Sequence, residues 1–227
     1  MIDPDPWLAK ALAGWKAVFG DRLLYLGLQG GYRRGEATEA SDIDLVAIRD
    51  SLAIEDLDAY RSVVHSLPEG EKACGFISGR EELLHWPRHE LFPFRMDTRD
   101  CHGRLDPLLP PIERRDIEEH ARIAASALYH LLTHNYLYAS DVDKPGILAT
   151  AYKSVFFVMP VVHYLSTGTD MPSKRELLAA LDGNEKAILA ISMDPGNRLA
   201  PDSQKQAFTM LHDWCGQVLT SDLGAAL

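Results

Sequence analysis

Two short apolar runs, joined by a glycine turn and an acidic step, restrict what this chain can fold into. Leu23-Leu24-Tyr25-Leu26 leads into Gly30-Gly31, and a polar turn carrying Arg33 and Arg34 follows. Asp42 and Asp44 then bracket Ile43 at the mouth of the second run, Leu45-Val46-Ala47-Ile48. If Ile43 to Ile48 is a strand, its period of two puts both carboxylates on one face and Ile43 on the other. Two acids crowded at a strand edge repel one another and call for a counter-charge. A hard divalent cation, which prefers carboxylate oxygen, supplies it. The glycine pair lets backbone approach a ligand closely, and N–H groups at a helix start suit phosphate. Together these are the parts used for phosphoryl or nucleotidyl transfer.

The run Gly30-Gly31-Tyr32-Arg33-Arg34-Gly35-Glu36-Ala37, followed by Ser41-Asp42-Ile43-Asp44-Leu45, resembles the signature of the polymerase-β-like nucleotidyltransferase superfamily. It is most similar to the small bacterial, antibiotic-modifying members, whose pattern reads roughly G-S-x-A-R-G-x-A-x-x-x-S-D-I-D-L. Gly31 stands where that pattern has serine, so backbone N–H donors would have to hold phosphate there. A bare D-x-D also marks many sugar-nucleotide glycosyltransferases. Those usually place a nucleotide-binding half of about 100 residues before it, the size of a whole domain. Only the segment up to Ser41 precedes Asp42 here.

The resemblance implies an α+β chain: a small mixed β-sheet nucleotidyltransferase domain over residues 1–111, then an all-α helical bundle over 112–227. It implies Asp42 and Asp44 as catalytic and Mg2+-binding acids, and Gly30, Gly31, Arg34 and Ser41 as nucleotide-binding residues. The family usually adds a third acid from a neighbouring strand. Asp97, in Arg95-Met96-Asp97-Thr98, is the candidate for both catalysis and metal binding, with Asp100 and Asp106 competing and a simple turn cap as the bland alternative. In many relatives a lysine of the helical domain reaches the β- and γ-phosphates. Lys153, a charge amid the apolar Ala151-Tyr152-Lys153-Ser154 stretch, is the candidate, against the common alternative of a snorkelling surface lysine. The donor implied is ATP with Mg2+, and the acceptor a small molecule bound in a cleft between the two domains.

Periodicity fills in the elements. Pro6 to Phe19 carries a helical apolar stripe with Asp5 as N-cap. Strands are expected at Leu23–Leu28, Asp42–Ile48 and Ala73–Ser78, and helices at Ile54–Leu67 and Glu81–Trp86. Leu91 to Thr98 alternates loosely and reads as the next strand, with Pro93 marking an irregular edge. After Pro107, Pro110 and Pro111 the pattern turns helical. A long amphipathic helix holds Ile117, Ala121, Ala124, Leu128, Leu131 and Leu132. Another, about Pro145 to Leu165, bends near Pro160, and Ser173-Lys174-Arg175-Glu176 is a capping box. A short helix after Asn184 and a last one from Ser203 to Thr220 follow. His130 and His134, at i and i+4, share a helix face but lack the glutamate and third ligand of a zinc site. His85 and His89 flank Pro87 and read as loop residues.

Composition narrows the partners. The chain has 227 residues, 46% hydrophobic and 25% charged, as expected of a globular protein with a core. A formal charge of −10 disfavours a nucleic-acid surface and would attract a cationic acceptor. Cys74, Cys101 and Cys215 are odd in number and widely spaced, which reads as free thiols in a reducing, cytoplasmic setting. The acidic, proline-broken N-terminus does not read as a signal peptide, and the longest apolar stretch, Val155 to Leu165, is too short to span a bilayer. The alternatives from other classes are a nucleotidyltransferase scaffold that binds without turnover, for which Gly31 speaks, and an antitoxin-type enzyme that modifies protein hydroxyls.

Overall fold

In the computed structural model, which describes residues 2–194, 199 and 203–223, the chain forms two compact units, Met1–Pro111 and Ile112–Leu227.

The first unit is built on a four-stranded mixed sheet. Its strands are β1 (Leu23–Leu28), β2 (Ile43–Arg49), β3 (Ala73–Gly79) and β4 (Arg99–His102), in the order β3-β2-β1-β4. β1 runs antiparallel to both β2 and β4, while β2 and β3 are parallel. The apolar runs of β1 and β2 are buried almost throughout, because both are central strands. Helix α1 (Pro4–Phe19) opens at Asp3, whose side chain accepts the Asp5 N–H, so the cap lies two residues before the expected Asp5. Trp7, Leu8, Ala11, Trp15 and Phe19 of α1 enter one core with Leu26, Leu28, Ile43 and Leu45 and with Val63 and Val64 of α3 (Ile54–His65). Trp15 stacks on Tyr60 at 4.5 Å between ring centroids.

The short helix α2 (Gly30–Arg34) follows β1, and α4 (Arg80–Leu84) follows β3. The segment expected to be a strand at Leu91–Thr98 is instead helix α5 (Arg88–Met96), and Asp97 is its C-cap. The reason is burial. Leu91 and Phe92 are both buried, which one face of a helix provides, whereas an edge strand covered on one side would send one of the two to solvent. Trp86 and Glu90 brace the helix start through a 2.7 Å hydrogen bond, and Pro93 is tolerated inside it. His89 therefore lies on α5, not in a loop, and the last strand begins only at Arg99.

The second unit is helical in all its described regular structure: α6 (Arg114–Tyr138), α7 (Lys144–Ser154), α8 (Met159–Thr167), α9 (Lys174–Ala180), α10 (Gly183–Met193) and α11 (Gln204–Thr220). Arg114 at the start of α6 donates to the Leu165 and Leu223 carbonyls, and Tyr152 donates to the Ala207 carbonyl at 2.8 Å. Ser173 caps α9 by accepting the Glu176 N–H, and its hydroxyl donates to the Glu176 carboxylate at 2.7 Å. The expected bend near Pro160 is a 3-10 turn at Val155–Phe157, with Pro160 in the first turn of α8. By length and composition Lys144–Thr167 is apolar enough to cross a membrane, but that turn divides it and 56% of its most apolar window is buried inside the unit.

Candidate active site

The glycine turn is tied to the sheet through its backbone. The Gln29 N–H donates to the Asp44 carbonyl at 2.8 Å, which brings the first residues of α2 against the start of β2. Gly30 has φ +69°, and a Cβ there would drive into Asp44 Oδ2. Only glycine leaves room for that carboxylate. On its other side the Gly30 N–H donates to Asp97 Oδ2 at 3.2 Å. Gly30 is thus held between two carboxylates that are distant in sequence.

Side chains from the turn hold α5 by its C-terminal end. Gln29 Nε2 donates to the Phe94 carbonyl at 3.2 Å and to Thr98 Oγ1 at 2.7 Å, and Arg33 Nη2 donates to the Met96 carbonyl at 2.7 Å. These bonds satisfy carbonyls that the helix end leaves unpaired, and they set where Asp97 sits. Arg34 completes the clamp. Its Nη1 lies 2.7 Å from both Asp97 oxygens, and its Nε lies 3.2 Å from Glu36 Oε2.

The other two acid candidates point elsewhere. Asp100, on β4, accepts the Tyr25 hydroxyl at 2.8 Å and pairs with Arg104. Asp106 pairs with Arg95 at 2.7 Å. Of the three, Asp97 is the one beside the glycine turn.

Asp42 is exposed just ahead of β2, and Asp44, the second residue of that strand, is partly buried. The Asp44 carboxyl is pushed above the usual carboxylate range, first by burial, then by the charge of Asp42, with Asp97 adding and Arg34 opposing. This is the signature of acids close enough to feel one another. Ser41 Oγ accepts the Thr38 N–H at 2.8 Å, so it braces the loop before β2. Lys153 is exposed on α7 of the second unit. His130 and His134 face one another at 5.8 Å between ring centroids.

No protein-family model matches the chain, and no curated protein matches it in sequence. Its structure, however, is similar to the crystal structure of the spectinomycin adenyltransferase AAD(9) from Enterococcus faecialis with ATP and spectinomycin, at a TM-score of 0.52. The fold is α+β, a small mixed sheet followed by a helical region, as in that adenyltransferase. The match covers 95% of this chain and 99% of that one at 12% identity, so the likeness extends through the helical unit and is one of architecture.

Among the described residues, no three His, Cys, Asp or Glu side chains are arranged to hold a metal ion. The donor chemistry nonetheless suits a divalent cation. Oxygen ligands are what Mg2+ takes, Gly30 leaves room for the Asp44 carboxylate where a Cβ would collide with it, and Asp44 feels the charges of Asp42 and Asp97, offset only in part by Arg34. What departs from the expected trio is Asp97, whose oxygens are turned to Arg34. Gln29 carries no sequence signal as a site-building residue, and Arg33 none for its hold on α5, because each acts on carbonyls more than sixty residues away.

Proposed function

We propose that this protein is a Mg2+-dependent nucleotidyltransferase that moves AMP from ATP onto a hydroxyl of a small cationic acceptor of the aminoglycoside type. The observation that carries the reading is Gly30 held between Asp44 and Asp97, with Asp42 one strand step from Asp44. The similarity to an adenyltransferase crystallised with ATP and spectinomycin supports it.

In this reading Asp42 and Asp44 hold the cation, which would offset the charge of the triphosphate and lower the cost of ionising the acceptor hydroxyl. Arg34 and the glycine backbone orient phosphate, Ser41 keeps the loop before β2 in shape, and Lys153 is the candidate partner for the leaving pyrophosphate. Asp97 is the group to take the acceptor's proton. The net charge of −10 favours an amine-bearing acceptor through long-range attraction, so acceptor affinity should fall as salt rises. We place the protein in the cytoplasm, with no nucleic-acid or membrane partner.

The test is incubation with labelled ATP and Mg2+ against aminoglycosides, other aminated natural products and lysate protein. Label on a small cationic acceptor, with release of pyrophosphate, is expected. Label on protein alone would replace the acceptor with a protein hydroxyl, and no transfer to any acceptor would leave a nucleotide-binding scaffold.

A further inference from the structure

Resting on that reading, we propose that Arg34 is a positioning residue that latches Asp97 away from the cation until a polyphosphate draws the guanidinium off. The contact is built, not incidental. It joins residues 63 apart in sequence through one nitrogen placed 2.7 Å from both carboxylate oxygens. The Arg34 side chain is 12% exposed and that of Asp97 32%, so the pair is less screened than a fully exposed surface ion pair. Asp97 stays beside the glycine turn when Arg34 lets go, because Gln29 and Arg33 fix the end of α5 and the Gly30 N–H donates to Oδ2.

Arg34 has a second anchor. Its Nε lies 3.2 Å from Glu36 Oε2, so the guanidinium has somewhere to stay when it lets go of Asp97. The planar guanidinium matches phosphate as well as carboxylate, and a triphosphate brings more negative charge than a single carboxylate. With the latch closed a cation meets Asp42 and Asp44, and with it open it meets Asp97 as well. Polyphosphate and cation binding are then coupled through one side chain, and the coupling is reciprocal.

The test is Mn2+ binding to the full chain without nucleotide, followed by electron paramagnetic resonance. Mn2+ serves as an oxygen-seeking stand-in for Mg2+. Arg34→Gln should tighten Mn2+ binding by about tenfold, the effect of removing one close counter-charge from a carboxylate. Asp97→Asn alone should change it little, because Arg34 already occupies that group. Asp97→Asn added to Arg34→Gln should cancel the gain, a coupling that a double-mutant cycle isolates. Arg34→Lys, which keeps the charge without the planar fork, should give a smaller tightening and serves if Arg34→Gln loses its native circular dichroism.

No tightening in either Arg34 variant would overturn the latch, as would a gain that persists in the Asp97→Asn background, which would reflect bulk charge alone. Asp42→Asn separates the two levels of argument. If it weakens Mn2+ binding while the Arg34 variants do nothing, the latch alone falls. If Mn2+ binds equally well with Asp42→Asn, the cation site falls and the latch with it.

Discussion

Gly30 and Gly31 are neighbours that tolerate opposite things. Gly30 combines a left-handed φ with a carboxylate lying where its Cβ would go. Gly30→Ala should therefore cost about 1–2 kcal/mol in backbone strain alone and should displace Asp44. Gly31 has no such constraint, since a Cβ there would meet Ala37 and Ser41 Oγ at 3.4 to 3.7 Å, ordinary contact. Gly31→Ser should fold as wild type and speed AMP transfer several-fold, measured as kcat at unchanged thermal midpoint. A slower variant with that midpoint intact would argue that phosphate is not held at this position. Asp42→Asn and Asp44→Asn should each reduce transfer about a thousandfold, or about 4 kcal/mol of transition-state stabilisation. Near-normal transfer by either would remove it from the site. For Asp44 the sign of the stability effect is also fixed. A carboxyl raised in the folded state binds more protons there than when unfolded, so it costs stability as pH climbs above the unfolded value. Asp44→Asn should melt higher than wild type at neutral pH, with the gap closing in acid.

At the level of elements, α5 decides whether Asp97 belongs to the site. Leu91 and Phe92 are 1% and 3% exposed, so alanine at each should cost about 2–5 kcal/mol in denaturant unfolding. Phe94, partly exposed and edge-on to Phe76, should cost less than either. A strand would instead have paired Phe92 with Phe94 and spared Leu91, and that order of losses would contradict the helix. The same stretch is where local sequence pattern and structure part. The strands β1, β2 and β3 were legible because each is a compact apolar or β-rich run bounded by turn residues, and Gly30, Asp42 and Asp44 came with them. The 91–98 stretch is too short for its period to be measured, and its internal proline argues against both regular structures. Its helical state is set by contacts with Phe76, Gln29 and Arg33, none of which a local pattern contains. The resemblance implies a strand acid at Asp97, whereas it sits at the end of a helix, and its pairing with Arg34 lies outside any spacing pattern.

Across the whole molecule, acid should act on the two units unequally. Arg49, fully buried at the end of β2, lies 2.5 Å from Asp56 of α3 and 4.0 Å over the Phe19 ring of α1, so one guanidinium joins three elements of the first unit. The Arg49 guanidinium beside it, with the Ala53 N–H second, holds the Asp56 carboxyl down to about 2. An acid lowered in this way contributes its full stability above the unfolded carboxylate value of about 4. That stability is lost as pH falls through the folded value. Asp50 and Glu69 of the same unit are lowered too, whereas Asp141 of the second unit, lowered by its pairing with Lys144, is 96% exposed. Between pH 4 and 2 the first unit should therefore unfold ahead of the second. Trp7, Trp15 and Trp86 lie in the first unit and Trp214 in the second, which lets fluorescence tell them apart. In Trp214→Phe the fluorescence change should come at higher pH than the loss of helical circular dichroism, most of which comes from the second unit. Asp56→Asn should be less stable than wild type at neutral pH, because Arg49 stays buried with its counter-charge removed, and the acid dependence of its fluorescence should be shallower. Coincident transitions in the two signals would mean that the units unfold as one, and an unchanged slope in Asp56→Asn would mean that the Arg49 pair does not govern the acid response.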